Sequence, residues 1–281
     1  MRTILVTGGA GFVGSHLIEE LVRDTKSRVI SLDNYSTGRE ENHIAGAEYV
    51  SGDTTDIEKL MTAEPSLVYH LGEYARVERS FDDMPTVWHA NKDGTFAVLE
   101  FCRKRGSKIV YAGSSTKFGD GGLGRNGSPY AWSKASNTEL VQNYGVWFKL
   151  PYAITYFYNV YGPRELSGTY GTVIEIFRQQ KQKGQPLKVV APGTQRRIFT
   201  HVKDIVRGLS LVGEKGEGDG FGLGSRDEFS ILEVARMFGG PIEMLPERAG
   251  NRLTSSIDLS KSEALGWKAE RSLGEYIRES M

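Results

Sequence analysis

Short apolar runs alternate with amphipathic stretches through the first half of the chain. The runs at 2–7, 28–33, 48–50, 66–71, 108–113 and 152–158 have the length of strands, and the more continuous of them read as buried on both faces. The stretches at 11–24, 56–62, 85–105 and 129–149 read as helices; in the first, Leu17, Ile18, Leu21 and Val22 recur at helical spacing. Such alternation predicts a doubly wound parallel sheet with helices on both faces, an α/β fold. Beyond about residue 160 the pattern loosens, and helices at 170–183, 203–213 and 230–238 are separated by Gly- and Pro-rich turns. A main domain over 1–160, with 200–225 returning to it, and a smaller C-terminal α/β lobe over 161–281 are expected.

The first strand leads directly into Thr7-Gly-Gly-Ala-Gly-Phe-Val-Gly14. Gly8, Gly11 and Gly14 fall three apart, at the strand-to-helix turn of a Rossmann-type fold. Glycines there allow a tight turn, close approach of backbone to a pyrophosphate and close contact between helix and strand. The helix start then offers free N–H groups and partial positive charge to phosphates. The second strand ends in Asp33, about 20 residues after the last glycine, where a carboxylate suits the ribose diol of NAD and repels the extra phosphate of NADP. As a purely local alternative, Asp33 caps the loop that follows. Asn34, Ser36 and Gly38 lie in a turn-like stretch that can line an adenosine.

Composition narrows the classes. The 281 residues carry 35 basic and 35 acidic side chains, so nothing favours nucleic acid or an anionic membrane surface. The single cysteine, Cys102, rules out an internal disulfide and fits a reducing compartment; it reads as part of a helix core face. There is no signal-like leader and no apolar run long enough to span a bilayer, so a cytoplasmic location is expected. Asp120 to Gly127 is glycine-dense and reads as a flexible loop.

Tyr130 and Lys134 lie four apart on the helix expected at 129–149 and so share a face, where an ammonium favours the phenolate form of a neighbouring phenol. Taken alone the spacing is common. Downstream of a dinucleotide turn it suggests a proton-transfer pair beside a nicotinamide.

In chain order, further segments carry a resemblance. These are Asp33-Asn-Tyr-Ser-Thr-Gly38, Gly52-Asp53, His70-Leu71-Gly72-Glu73, Asn91-x-x-Gly94-Thr95 and Ser114-Ser-Thr-Lys-Phe-Gly119. They continue with Asn159-Val-Tyr-Gly-Pro-Arg164, Arg197-Ile-Phe-Thr-His-Val-Lys-Asp204, Arg248-Ala-Gly-Asn251 and Asp258 to Trp267. Together with the glycine turn and Tyr130-x-x-x-Lys134, the chain resembles the extended short-chain dehydrogenase/reductases of the nucleotide-sugar epimerase/dehydratase type, most nearly the UDP-glucose 4-epimerases. It departs from them at Gly72-Glu73, where the family usually has two alanines, and at Asn251, where it has an acid.

The resemblance implies NAD held by Gly8, Gly11, Phe12, Val13, Asp33, Asn34, Ser36, Gly38, Asp53, Thr54, Leu71, Gly72, Tyr130, Lys134 and Tyr158. It implies Tyr130 as general base, Lys134 on the nicotinamide ribose and Ser114 on the same substrate oxygen, with Ser115 taking that place if the register slips by one. Asn159, Arg197 and Arg248 are implied on the substrate diphosphate, and no metal is implied. The main domain then binds NAD and the C-terminal lobe mainly binds the nucleotide sugar. Glu73 facing a pyrophosphate carries an electrostatic cost, so it either points elsewhere or meets a polar substrate group.

Ser115-Thr116 stands where a 4,6-dehydratase carries Asp-Glu, which disfavours dehydration. Oxidation at C4 remains, followed by re-reduction on the other face, as in an epimerase, or by release of the ketone, as in a 4-dehydrogenase. A non-catalytic NAD-binding sensor or scaffold is the alternative of another class, although such proteins typically lose the Tyr, the Lys or the hydroxyl. The resemblance also implies a homodimer through a four-helix bundle. Phe96, Val98, Leu99, Phe101, Leu140, Val141, Tyr144 and Trp147 are available for core and partner.

Overall fold

Seven parallel strands form the centre of the protein. A computed structural model describes residues 2–168, 171–247 and 258–281. In chain order come β1 (Arg2–Thr7), α1 (Phe12–Leu21), β2 (Ser27–Asp33), β3 (Ala47–Ser51), α2 (Ile57–Leu60) and β4 (Leu67–His70). Then α3 (Met84–Val87), a π turn (Trp88–Asp93) and α4 (Gly94–Arg105) follow one another without a break, before β5 (Lys108–Ser114), α5 (Pro129–Phe148) and β6 (Tyr152–Phe157). The C-terminal part contains β7 (Val160–Tyr161), α6 (Val173–Gln182), β8 (Leu187–Val190), β9 (Arg196–Ile198), β10 (Thr200–His201) and α7 (Val202–Lys215). It ends with β11 (Gly218–Leu223), β12 (Glu228–Ser230), α8 (Ile231–Phe238), β13 (Ile242–Leu245), α9 (Ser260–Ala264) and α10 (Leu273–Glu279).

The central sheet has the order β11-β6-β5-β4-β1-β2-β3, with every neighbouring pair parallel. Strand order reverses between β1 and β4, so a crevice opens outside their carboxyl ends, where doubly wound sheets bind ligands. One face is covered by α1 and α7, through Leu17, Ile18, Ile205 and Leu209. On the other, Val98, Leu99, Phe101 and Val141 from α4 and α5 pack on Leu5, Val68, Ile109 and Tyr111. Cys102 lies inside this second cluster, and burial pushes its thiol up. A third cluster, including Phe177, Val189, Val234, Phe238 and Ile277, forms the core of the C-terminal part.

The expected elements are present, with differences at their ends. The first helix stops at Leu21 rather than 24, and the helix expected at 56–62 spans only Ile57–Leu60 behind a 3₁₀ turn. In that turn Asp53 accepts the Thr55 amide at 3.0 Å. The glycine-dense segment is wound into 3₁₀ turns over Ser115–Asn126. Two motifs noted separately in the sequence meet here: Trp267 donates from Nε1 to the Asp204 carbonyl at 2.9 Å, while Asp204 Oδ2 accepts the Glu270 and Arg271 amides. Asp204 is therefore a clasp for the tail, not a group at the crevice. No helix among the described residues is long and apolar enough to cross a membrane.

Candidate active site

The crevice floor is built from backbone. Gly8 has φ +73°, and a Cβ there would lie 2.9 Å from Gly72 Cα, so the turn after β1 and the loop after β4 touch through two glycines. This contact accounts for Gly72. A Cβ on Gly14 would collide with the Gly8 carbonyl, whereas one on Gly11 would meet only Gly8 O, at 3.2 Å. No side chain caps α1 at Gly11, so the amides of Phe12 and Val13 are available to an anion. These features fit a pyrophosphate.

Asp33 is buried at the end of β2, and its carboxylate accepts the Ala10 amide at 2.9 Å and the Tyr35 amide at 2.8 Å. Burial raises its pKa against the pull of those amides. Gly38 lies against it, since a Cβ there would be 2.7 Å from Oδ1. Asn34 donates to Asp53 at 3.0 Å and accepts the Ser36 amide at 3.1 Å, which brings three predicted adenosine-side residues together. Thr54 is elsewhere, buried beneath α4, where a Cβ on Gly94 would strike its hydroxyl. These placements fit NAD and lead to a test. Asp33→Asn, which keeps the shape but not the charge, is expected to narrow the preference for NAD over NADP by about tenfold in equilibrium titrations.

Ser128 caps α5 by accepting the Ala131 amide at 3.0 Å, with Pro129 in the first turn. The helix start thus fixes Tyr130, whose hydroxyl donates to Ser114 Oγ at 3.4 Å. Thr116 Oγ1 lies 2.9 Å from the same Ser114 oxygen. Ser114, rather than Ser115, faces the phenol. One turn along α5, Lys134 donates to the Ala112 carbonyl at 2.5 Å, so both residues are docked on β5.

Glu73 points inward. Its carboxylate pairs with Lys134 and accepts Thr95 Oγ1 at 3.0 Å, Tyr111 OH at 3.1 Å and Asn137 Nδ2 at 3.0 Å. Burial works to raise this carboxyl, but Lys134, His70 and the hydrogen bonds outweigh it and hold it below the ordinary value. The loop itself is pinned by Asn91 in the π turn, which accepts the Tyr74 amide at 2.7 Å and donates to Ser133 Oγ at 3.0 Å.

Thr95 also lies 3.0 Å from His70 Nε2, and His70 Nδ1 lies 2.7 Å from Thr7 Oγ1. Thr7 already accepts the Gly72 amide at 3.0 Å. Because Thr95 donates to Glu73, it accepts from His70 Nε2–H, which leaves Nδ1 to accept from Thr7. Burial pushes His70 down to about 4, so it is neutral in the fold. The unfolded chain binds a proton below about 6.5. The histidine's contribution to stability is therefore full above that pH and is lost as pH falls toward 4, by about 1.4 kcal/mol per pH unit. Urea unfolding between about pH 7 and pH 5 should show this loss; a flat profile would contradict it.

Leu71 donates its amide to Thr7 Oγ1 at 3.2 Å, beside the glycine turn. Tyr158 is buried and lines a cavity of about 290 Å³ with Phe118, Asp219 and Lys261, at the β11 edge. Asn159 adopts φ +27° and donates to the Ile198 carbonyl at 2.9 Å, next to Arg197 on β9. Arg197 donates to the Arg196 carbonyl at 2.8 Å, while Arg196 pairs with Glu228 and Glu233. Arg248 and Asn251 lie outside the described residues. Arg164, at φ +65°, pairs with Glu19 at 2.7 Å and ties the loop after β7 to α1. A second cavity, of about 470 Å³, is lined by Glu165, Glu175, Arg178, His201 and Tyr276 and includes neither Tyr130 nor Ser114. The chemistry is placed by the facing hydroxyls, not by that cavity.

Residues 4–224 match the model of the NAD dependent epimerase/dehydratase family. The chain belongs to that family. Among its relatives is the UDP-glucose 4-epimerase of Mycolicibacterium smegmatis, 31% identical over 100% of this chain and 97% of that protein. Another is the UDP-N-acetyl-alpha-D-glucosaminuronate decarboxylase of Bacillus cytotoxicus, 32% identical over 84% of this chain and 78% of that protein. Among solved structures, the Thermus thermophilus UDP-glucose 4-epimerase in complex with NAD superposes with a TM-score of 0.89 at 28% identity, covering 99% of this chain and 97% of that one. As a family member, this chain is an NAD-dependent enzyme of the epimerase/dehydratase type with a Rossmann fold.

Proposed function

We propose that the protein is a nucleotide-sugar 4-epimerase that oxidises its substrate transiently at C4. The observation that carries this reading is the phenol of Tyr130 facing the hydroxyl of Ser114 at 3.4 Å, next to the glycine crevice. Two oxygens so placed can hold one sugar hydroxyl between them. Ser114 donates to it, and Tyr130, acting in its phenolate form, takes its proton at the phenolic oxygen and later returns it. NAD, when bound, supplies the hydride acceptor and donor. Gly8, Gly11, Phe12, Val13 and Gly72 line the pyrophosphate crevice, Asp33 takes the ribose diol, and Lys134 reaches the nicotinamide ribose. Asn34, Ser36, Gly38 and Asp53 belong to the adenosine side, with Leu71 and Tyr158 toward the nicotinamide, while Thr54 packs beneath α4. Asn159, Arg197 and Arg248 are assigned to the substrate diphosphate.

Residues 1–160 with 200–225 make up the cofactor domain in this reading, and 161–281 mainly the sugar lobe. The membership of β11 in the central sheet and the separate third core support that division. We further infer a cytoplasmic homodimer through α4 and α5. Val98, Leu99, Phe101, Val141 and Tyr144 are buried in the protomer, while Phe96 and Trp147 are 53% and 59% exposed.

The reading is tested by incubating the protein with UDP-, GDP-, dTDP- and CDP-sugars and NAD, with proton NMR of products and absorbance of reduced nicotinamide. A C4 epimer without net reduction is expected. A keto sugar with stoichiometric NADH would replace the epimerase by a 4-dehydrogenase. A 4-keto-6-deoxy sugar would indicate a dehydratase, and loss of carbon dioxide from a uronic-acid substrate would indicate a decarboxylase.

A further inference from the structure

The loop that carries Glu73, the partner of Lys134, is also held by Asn91 and by the contact between Gly8 and Gly72. Both side chains of the pair are almost completely buried, at 4% and 6% exposure, and every interaction of the carboxylate is with a donor. Lys134 occupies Oε2, while Thr95, Tyr111 and Asn137 share Oε1. An ionised carboxylate is purely an acceptor, so this set holds it in one charge state and one orientation.

The ammonium has three N–H groups. One goes to Glu73 and one to the Ala112 carbonyl, and the ring of Tyr111 lies 4.4 Å from Nζ. A single donor remains, and the two fixed bonds decide its direction. Lys134 shares a helix face with Tyr130, so the lysine side chain leaves α5 on the side that carries the phenol. The carboxylate is in turn tied, through Thr95, His70 and Thr7, to the Gly72 amide. The crevice floor and the lysine are therefore parts of one hydrogen-bonded chain.

We propose that Glu73 is a positioning residue, which orients Lys134 so that its one remaining N–H is presented to the nicotinamide ribose. This rests on the placement of NAD in the epimerase reading and adds to it the group that sets the lysine's geometry. A small apolar residue at position 73 would leave the ammonium free to rotate about its long side chain. Glu73 costs it that freedom and leaves one productive direction.

The test is a double-mutant cycle on NAD affinity, measured by equilibrium titration of the full-length protein, with Glu73→Gln, Lys134→Met and the double variant. Glu73→Gln keeps the shape and should weaken NAD about tenfold, the value of a hydrogen bond to a charged group. It should lower kcat while leaving KM for the nucleotide sugar within about twofold. If Glu73 acts through Lys134, the double variant binds NAD no more weakly than Lys134→Met alone. Thr95→Val, which removes one hydroxyl from the carboxylate, should shift NAD affinity in the same direction by a smaller factor; this keeps the test open if Glu73→Gln folds poorly. Additive losses in the cycle, or NAD affinity unchanged in both Glu73→Gln and Thr95→Val, overturn the proposal. Wild-type protein that binds NAD but converts no sugar nucleotide would overturn the epimerase reading, and the cycle would still report on Glu73.

Discussion

Tyr130→Phe is expected to lower kcat by about a thousandfold, within the range of about 10²–10⁴ that a positioned acid–base group contributes. The substitution removes one oxygen and leaves the ring, the Ser128 cap and the packing of α5 on β5 as they are. Melting temperature should therefore stay close to wild type. KM should also change little, because the phenol acts on a proton in flight and is not the main grip on a diphosphate sugar. Ser114 keeps its neighbour Thr116 at 2.9 Å, so the strand end does not lose its shape when the phenol goes. A loss smaller than about tenfold would mean that another group takes the proton. Full retention of biological function in the variant would favour the sensor or scaffold alternative.

Lys134→Met should produce the largest loss of stability. It leaves Glu73 buried without its counter-charge, and breaking a buried pair from one side costs about 3–5 kcal/mol. For a chain of this size the melting temperature should fall by roughly 10 °C. The pH dependence identifies the cause. In the wild-type protein the carboxyl is held below its ordinary value. That contribution is present above about pH 4.3 and is lost only as pH falls through the lower folded value. In the variant the isolated carboxyl is expected to favour its protonated form. Its folded pKa then lies above the unfolded one, so stability is complete in acid and is lost as pH rises. The deficit relative to wild type should accordingly grow from about pH 5 to pH 8, as followed by thermal unfolding. A deficit independent of pH would point to lost packing of the lysine stem instead.

The parts of the site that were legible in the sequence are those whose geometry is local. Gly8, Gly11 and Gly14 specify a turn and a helix start within a few residues, and Asp33 ends a strand whose length the apolar run already sets. Tyr130 and Lys134 share a face by helical periodicity alone. Ser114 was legible through the resemblance, and the structure places it, ahead of Ser115, opposite the phenol.

The role of Glu73 was not legible in the same way. Its substitution for a small residue could be seen, but its partner is 61 positions away, on another element. Thr95, Tyr111, Asn137 and His70 were hidden for the same reason: each reads as an ordinary polar residue until the sheet brings them together. Thr54 illustrates the converse, because its neighbours in sequence place it beside the adenosine loop while its side chain turns beneath α4. The π turn is not legible in apolar periodicity, because the stretch at 85–105 reads as one continuous helix and a single added residue shifts the phase only once.

That turn bears on how chains of this kind can be aligned. A π turn holds about one residue more per turn than an α-helix, so Trp88–Asp93 behaves as an insertion that the helix has absorbed. A relative lacking that residue would have the positions before it rotated by about 100° relative to those after it. In this chain, such a deletion would swing Trp88 and Met84 to a different side of the rod and take Asn91 away from Tyr74. The gap in an alignment would be a single character, placed almost arbitrarily within six positions. Its structural meaning in this chain is definite, because the extra residue lies in the turn that carries Asn91, the acceptor of the Tyr74 amide in the loop after β4.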